Sequence, residues 1–230
     1  MAFLTADAKY TTVTGIEVKR KFVPIPIRPG TKLKTKDNKP EYVTIHNTED
    51  INEAAGTNDA EQYARATFNG NMNGVSVHFY IDETDCWQIT PENEMGYHAA
   101  DGINGTGNSQ SVAIEIIMDG SGKDYDVKAE ERGAKLAASL LYKYGLGIDR
   151  LKTHNDWYPK KYCPVYILPH WDKFKAQVKE YLDELNKPKE PVKKGKHYRV
   201  QVGYYSVKQN AVDMQNKLKK AGFDAIIKEE

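Results

Sequence analysis

Two histidines and one cysteine carry side chains that bind transition metals. His46 lies near the end of a predicted strand, and His154 and Cys163 lie within the short segment 153–164. Two imidazoles and one thiolate suit zinc, which accepts nitrogen and sulfur ligands in tetrahedral geometry and can keep a fourth position for water. The spacing alone more often indicates a structural strand histidine and a cysteine buried as a small apolar residue.

A carboxylate and a lysine could complete such a site. Glu115 interrupts the apolar run VAIEIIM, where a carboxylate is costly unless it is paired or functional. It is a candidate general base with a raised pKa, or a partner of a metal ligand. The alternatives are a buried ion pair or an edge strand on which Glu115 faces water. Lys161, two residues before Cys163, could stabilise an oxyanion, although alone it is one surface lysine among many.

Three further residues are candidate substrate contacts. His78 lies on the polar face of a predicted strand, and His98 lies in a glycine-rich loop. Either could bind substrate or orient a metal ligand, and either also fits a hydrogen-bonded structural histidine. Asn47, which follows His46, is the third candidate.

Strands and helices alternate along residues 41–185. The apolar run at 111–120 predicts a central strand buried on both faces, and residues 96–110 predict a long functional or mobile loop. Residues 1–22 are polar and have no assigned role. The other predicted elements are strands at 41–47, 75–81 and 86–90, a helix at 57–68 with Asn58 as its cap, and helices at 128–145 and 168–185.

The end of the chain differs from the rest in composition. Residues 186–196 form a Lys- and Pro-rich linker, and residues 197–230 predict a small β-α-β unit that is too short for a sealed core. Residues 187–230 hold 11 Lys and Arg against 5 Asp and Glu, whereas residues 1–186 hold 22 against 27. A basic tail suits a polyanionic surface, and the alternative is a solvated lysine-rich end without a partner.

Composition excludes several classes of function. The 230 residues are 40% hydrophobic and 28% charged, which is typical of a globular protein. The net charge of +1 gives no strong field for nucleic acid. No apolar stretch reaches membrane-span length. The N-terminal residues lack the basic and apolar regions of a secretory signal, so none is expected. Nucleotide-binding glycine motifs, a serine-hydrolase elbow and HExxH are absent.

Six segments in a fixed order resemble the zinc-dependent N-acetylmuramoyl-L-alanine amidases of the type-2 family, near phage endolysins and prophage autolysins of Gram-positive bacteria. The segments are RPGTK (28–32), YVTIHNT (42–48), VSVHFYID (75–82), GYHAADG (96–102), VAIEI (112–116) and HNDWYPKKYCP (154–164). The resemblance implies an α/β catalytic domain over residues 1–185, with a central mixed β-sheet flanked by helices.

The same resemblance implies a reaction and a ligand set. Family members cut the amide between N-acetylmuramic acid and the first L-alanine of the stem peptide in peptidoglycan. By match to the family, one zinc is held by His46, His154 and Cys163, and Glu115 and Lys161 are catalytic. The alternatives are a non-catalytic peptidoglycan-recognition module and a cytosolic amidase that recycles soluble muropeptides.

Residues 197–230 resemble the first half of a SPOR module, a peptidoglycan-binding fold. A complete module has two such halves, so the tail is either a degenerate half or one of two halves from a homodimer, and we favour the homodimer. The expected partners are peptidoglycan and, through the basic tail, anionic wall polymers. We expect synthesis in the bacterial cytoplasm without a signal peptide and action on the wall after release.

Overall fold

The computed structural model describes residues 3–48, 59–187 and 201–229. The chain divides into two compact units, residues 1–187 and 188–230. The strands of the first unit are β1 Ala8–Thr11, β2 Glu17–Arg20, β3 Tyr42–Asn47, β4 Phe79–Ile81, β5 Cys86–Gln88, β6 Ser111–Ile116 and β7 Leu151–Thr153. Its α-helices are α1 Asp59–Phe68, α2 Thr106–Gln110, α3 Asp124–Tyr144, α4 His154–Trp157 and α5 Trp171–Asn186.

The seven strands form one mixed sheet in the order β1-β2-β5-β4-β6-β3-β7. Strands β4, β6, β3 and β7 run parallel to one another, whereas β1 with β2 and β4 with β5 are antiparallel. The apolar run in β6 therefore lies inside the sheet, as its composition predicts. The central mixed sheet flanked by helices is confirmed.

Alternation along the central strands separates the two faces of the sheet. Val43 and Ile45 of β3, with Ile114 of β6, belong to the large apolar core that α3 and α5 cover. Ala113 of β6 points to the opposite face, where a smaller core includes residues of α1. His46 and Glu115 follow the same alternation onto that second face.

Helices α3 and α5 cover the first face closely. At Gly133 of α3, a Cβ atom would lie 2.3 Å from Cδ1 of Ile116, so only glycine permits this helix-to-strand distance. Helix α3 ends at Gly145, whose φ of 65° is the left-handed conformation typical of a helix end. Phe174, Val178 and Leu182 give α5 its buried stripe.

Several boundaries differ from the predictions. The strands expected at 75–81 and 86–90 are shorter, and the strand expected at 111–120 ends at Ile116. Residues 106–110 of the predicted loop form α2. The unassigned N-terminal region forms the β1–β2 hairpin. Hydrophobic periodicity missed this hairpin because its strands are largely polar. The proposed cap Asn58 lies outside the described residues.

In the second unit, the described residues contain helix α6, Lys208–Lys220, but not the strands expected on either side. Residues 201–205 and 223–228 have no strand pairing, and residues 197–200 and most of the predicted linker lie outside the described part. An isolated pair of strands is marginal in water, and the described residues of this unit contain no strand to pair with. Tyr204, Phe223 and Ile226 are accordingly exposed.

Within residues 3–48, 59–187 and 201–229, none of the helices combines the length and the apolar character that a bilayer span requires.

Candidate metal centre

The carboxyl ends of three parallel strands bring the predicted ligands together. His46 is the next-to-last residue of β3 and pairs in register with Glu115 on β6. Strand β7 ends at Thr153, and His154 opens α4 directly afterwards. Thr153 and Asp156 form a capping box at that junction, which fixes how the chain turns. Side chains at the carboxyl edge of parallel strands share one crevice, and His46, Glu115 and His154 do so here.

The side chains of His46, His154 and Cys163 form a compact, buried cluster. Their ligand atoms all lie within 4.8 Å of one another, and Cys163 Sγ is 3.7 Å from His46 Nδ1. Typical zinc bond lengths in tetrahedral geometry place a sulfur and a nitrogen ligand about 3.6 Å apart. Among the described residues, His154 Nε2 is buried and has no hydrogen-bond partner. A metal ion would satisfy that nitrogen, so the donor set fits zinc.

The surroundings of the two histidines in the cluster favour their neutral form. Burial lowers the pKa of His46 well below its usual value, and the nearby His154 and Lys161 lower it further. Burial also lowers the pKa of His154, with Lys161 as the second cause. A neutral imidazole keeps the lone pair that a metal requires, so this environment favours ligation over protonation.

The segment that carries Cys163 is folded around Asn155. The backbone N–H of Asn155 donates to the Cys163 carbonyl at 3.0 Å, and its side-chain amide donates to the Lys161 carbonyl at 2.9 Å. These bonds hold Cys163 inside while Lys161 stays exposed at the cleft. One asparagine thereby fixes the backbone of both Cys163 and Lys161.

Glu115 is half-buried and opens onto a cleft of about 770 Å³. Because β6 lies inside the sheet, the edge-strand alternative is wrong. Glu115 also pairs in register with Tyr80 on β4, so its strand lies between the strand of the candidate ligand His46 and the strand of the aromatic residue Tyr80. The apolar lining of the cleft comprises Tyr63, Met72, Val75, Val77, Tyr80, Tyr97 and Ile103.

The structure corrects the expectation for His78. It is fully buried, its Nδ1 accepts the Ala113 N–H at 3.0 Å, and its Nε2 lies 2.9 Å from the Glu94 carbonyl. Both ring nitrogens are thus taken by backbone groups, and burial lowers the pKa of His78 to about 4. Of the alternatives that the sequence left open, the hydrogen-bonded structural histidine is the one observed.

His98 and Asn47 both border the cleft, but the polar groups of each already have protein partners. His98 is 5% exposed, and its Nδ1 lies 3.0 Å from His46 Nε2. Asn47 accepts the Tyr166 N–H at 3.1 Å and donates to the Thr48 carbonyl at 2.6 Å. These contacts hold the His98 ring and the Asn47 amide in place at the border of the cleft.

The hydrogen bonds that shape the glycine-rich loop were not predicted. Asn108 Oδ1 accepts the backbone N–H groups of both His98 and Ala99 at 2.8 Å. Asp101 accepts the N–H groups of Gly107 and Asn108 at the start of α2. Asparagine and aspartate commonly bond to nearby backbone groups, which is the one property of the sequence that points to them.

Comparison with known proteins gives two family matches. The family described as N-acetylmuramoyl-L-alanine amidase matches residues 36–166, more than half of the chain. The SPOR domain family matches residues 171–229, and this range begins upstream of the predicted tail. It includes α5, whose Phe174 and Val178 are buried in the core of the first unit.

The relatives are bacterial amidases. XlyB of Bacillus subtilis is 38% identical over 145 residues, which is 62% of this chain and 43% of XlyB. CwlA of the same organism is 38% identical over 64% of this chain and 52% of CwlA. Both are named N-acetylmuramoyl-L-alanine amidase. The chain thus spans about half the length of the curated relatives it matches.

Two solved structures share the fold over nearly their whole length. The catalytic domain of XlyA is 34% identical with a TM-score of 0.61, covering 70% of this chain and 98% of that domain. PlyL is 30% identical with a TM-score of 0.62, covering 72% of this chain and 99% of its own. The chain belongs to the N-acetylmuramoyl-L-alanine amidase family.

Proposed function

We propose that this protein hydrolyses the amide bond between N-acetylmuramic acid and L-alanine in bacterial peptidoglycan, as a zinc-dependent lytic enzyme. The observation that carries the proposal is the juxtaposition of the buried His46, His154 and Cys163 cluster with the half-buried Glu115 in one cleft. Three protein ligands leave a coordination position open, which is typical of catalytic zinc sites. The names of the relatives supply the substrate class.

Zinc held by these three residues would supply a Lewis acid that activates water and polarises the scissile carbonyl. Glu115 accepts a proton from the water as the water oxygen bonds to the carbonyl carbon. The carboxyl group then returns that proton to the alanine nitrogen as the carbon–nitrogen bond breaks. Lys161, exposed at the same cleft, stabilises the negative charge on the carbonyl oxygen.

A metal-free Cys–His mechanism is the main chemical competitor, because Cys163 Sγ and His46 Nδ1 are neighbours. Two observations argue against it. Cys163 is only 3% exposed, which leaves its sulfur little access to a polymeric substrate. His154 adds a second buried imidazole that a Cys–His pair does not need. Inhibition by a chelator with recovery on adding zinc separates the two mechanisms.

The products identify the reaction. Purified cell walls and soluble muropeptides are each incubated with the protein, and new amino termini are identified by labelling and mass spectrometry. Release of L-alanine amino termini from walls supports a lytic amidase. Release from soluble muropeptides alone favours a recycling enzyme. Binding to walls without release favours a recognition module.

For the second unit we propose attachment to the wall. The match to the SPOR family supports peptidoglycan as its ligand, and the excess of lysine and arginine over residues 187–230 suits anionic wall polymers. The enzyme would act on the wall after release from the cell that makes it. Wall pull-down of the full chain, compared with a chain ending at residue 187, measures this contribution with and without wall polymer.

We also propose that two copies pair through this unit. Helix α6 has no buried residue, and exposed apolar side chains precede and follow it, among them Tyr204 and Phe223. Since α5 belongs to the first unit, the residues left for the SPOR match form at most half a module. Light scattering coupled to gel filtration should give a dimer mass for the full chain. A strict monomer at tens of micromolar contradicts the pairing.

A further inference from the structure

Behind the metal cluster, the ring of His46 is the first member of a buried chain of hydrogen bonds. His46 Nε2 lies 3.0 Å from His98 Nδ1, and the two rings meet edge to face. His98 Nε2 lies 3.4 Å from Ser111 Oγ, which lies 2.6 Å from the Gly107 carbonyl. The chain therefore leads from a metal ligand to a backbone acceptor in α2.

A second branch reaches the same serine. Trp157 Nε1 lies 2.9 Å from Thr44 Oγ1, and Thr44 Oγ1 lies 2.8 Å from Ser111 Oγ. Thr44 and Ser111 are fully buried. Ser111 Oγ thus meets a carbonyl, a hydroxyl and an imidazole nitrogen, which matches its capacity of one donated and two accepted hydrogen bonds.

The Gly107 carbonyl and the Trp157 indole N–H, at the two ends of this network, allow one arrangement of its protons. A carbonyl only accepts and an indole N–H only donates, so Ser111 donates to Gly107 and Trp157 donates to Thr44. The Thr44 hydroxyl proton then points to Ser111. With its own proton given to Gly107, Ser111 can only accept from His98.

That arrangement determines the tautomers of both histidines. A neutral His98 that donates from Nε2 must accept at Nδ1, so His46 donates from Nε2. The lone pair of His46 is then on Nδ1, the nitrogen that faces Cys163. Any other tautomer would leave a buried nitrogen facing another acceptor without a proton between them.

We infer that His98 is a positioning residue that presets the metal-ligating tautomer of His46, through a proton order imposed by Ser111 and Gly107. The inference rests on the proposed zinc function. It assigns to His98 a role toward the ligand rather than toward the substrate. A hydrogen bond to the second nitrogen of a ligating imidazole fixes the ring and strengthens binding of the metal.

The test uses the full chain and measures two properties other than activity. The first is the tautomer of His46 in metal-free protein, read from long-range proton–nitrogen correlations with ¹⁵N-labelled histidine. The second is zinc affinity, measured by competition with a chromophoric chelator. The variants are His98→Leu, which removes the acceptor, and His98→Asn, whose side-chain oxygen can replace Nδ1. Tyr10→Phe, which removes a hydrogen bond to Gln88 on strand β5, is the control.

We expect wild-type His46 to carry its proton on Nε2 before zinc is added. His98→Leu should bind zinc about 10- to 100-fold more weakly, with a mixed His46 tautomer, and His98→Asn should recover much of the affinity. Tyr10→Phe should bind zinc like the wild type.

Two results would overturn the inference: a His46 proton on Nδ1 in the metal-free wild type, or wild-type zinc affinity in His98→Leu. If His98→Leu does not fold, the wild-type tautomer and the affinity of His98→Asn still decide. A wild type that binds no zinc but shows the expected tautomer contradicts the proposed function and leaves the proton order standing.

Discussion

The two faces of the central sheet differ although the same strands form both. On one face, Ile45 and Ile114 are fully buried in a continuous apolar core beneath α3 and α5. On the other, His46 and Thr44 belong to a buried hydrogen-bond network, and His46 and Glu115 line the cleft. Alternation along a strand thus gives one face to stability and the other to chemistry.

The two faces are held together by different kinds of interaction. Apolar packing is non-directional and tolerates exchange of similar side chains. The cleft face depends on directional hydrogen bonds, whose partners must match in number and orientation. Changes on the first face should therefore alter the free energy of unfolding, and changes on the second should alter activity or metal binding.

The largest effect is expected at Glu115. Replacing it with glutamine keeps the shape and removes the base, so amide hydrolysis should fall by about 10²- to 10⁴-fold. Zinc content and the unfolding midpoint should stay at wild-type values. Rates of amino-terminus release from walls, with zinc measured on the same samples, check this. Glu17→Gln, at an exposed position of β2, is the control, and an active Glu115→Gln enzyme would show that the assignment is wrong.

Ile114→Ala probes the opposite face one residue away. Truncating a fully buried isoleucine should lower the free energy of unfolding by about 2–5 kcal/mol, while zinc binding survives in the folded protein. Urea titration followed by fluorescence measures the loss. The same truncation at Ile103, which is 51% exposed, should cost less than about 0.5 kcal/mol. Equal losses at the two sites would contradict the proposed division of the faces.

His78 should make stability depend on pH. Its pKa is lowered to about 4 in the folded state because it is buried, against about 6.5 when unfolded. The unfolded chain therefore binds the extra proton between these values, and stability falls as the pH drops from about 6.5 toward 4. The loss amounts to about 3 kcal/mol in total.

The measurement is urea unfolding of metal-free protein at a series of pH values, for wild type and His78→Asn. The variant should be less stable at neutral pH, because it loses backbone hydrogen bonds, but its pH dependence should be shallower. Parallel curves for the two proteins would mean that His78 contributes no such linkage.

The smallest effect is expected at Ala100, an exposed residue of the cleft loop with a φ of 55°. A Cβ atom disfavours this left-handed conformation, and glycine adopts it freely. Ala100→Gly should raise the free energy of unfolding by up to about 1 kcal/mol. Denaturant unfolding resolves a shift of that size, and a destabilised variant would contradict the strain argument.

The sequence predicted the apolar face better than the cleft face. The runs around Ile114 and the helical stripe with Phe174 specify their elements, because burial of apolar groups follows a simple period. The candidate ligands His46, His154 and Cys163 were identifiable from their types and from the family resemblance. Their convergence needed the parallel pairing of β3, β6 and β7.

What the sequence did not predict depends on partners that are distant in the chain. His98 contacts His46 and Ser111, and periodicity shows a face but not the group across it. The β1–β2 hairpin was missed because its strands are stabilised by ladder hydrogen bonds and surface ion pairs such as Lys9–Glu17. In the second unit, helical periodicity predicted α6 correctly, but the segments expected to be strands, 201–205 and 223–228, have no strand pairing.

The most direct test of zinc-dependent amide hydrolysis is elemental analysis of the purified full chain, run beside amide release from cell walls with and without a chelator. We predict about one zinc per chain, release of L-alanine amino termini that the chelator abolishes, and loss of both in His46→Ala. Zinc-free protein that binds walls and releases nothing would contradict the proposed hydrolysis. His46 and Cys163 would then have structural roles.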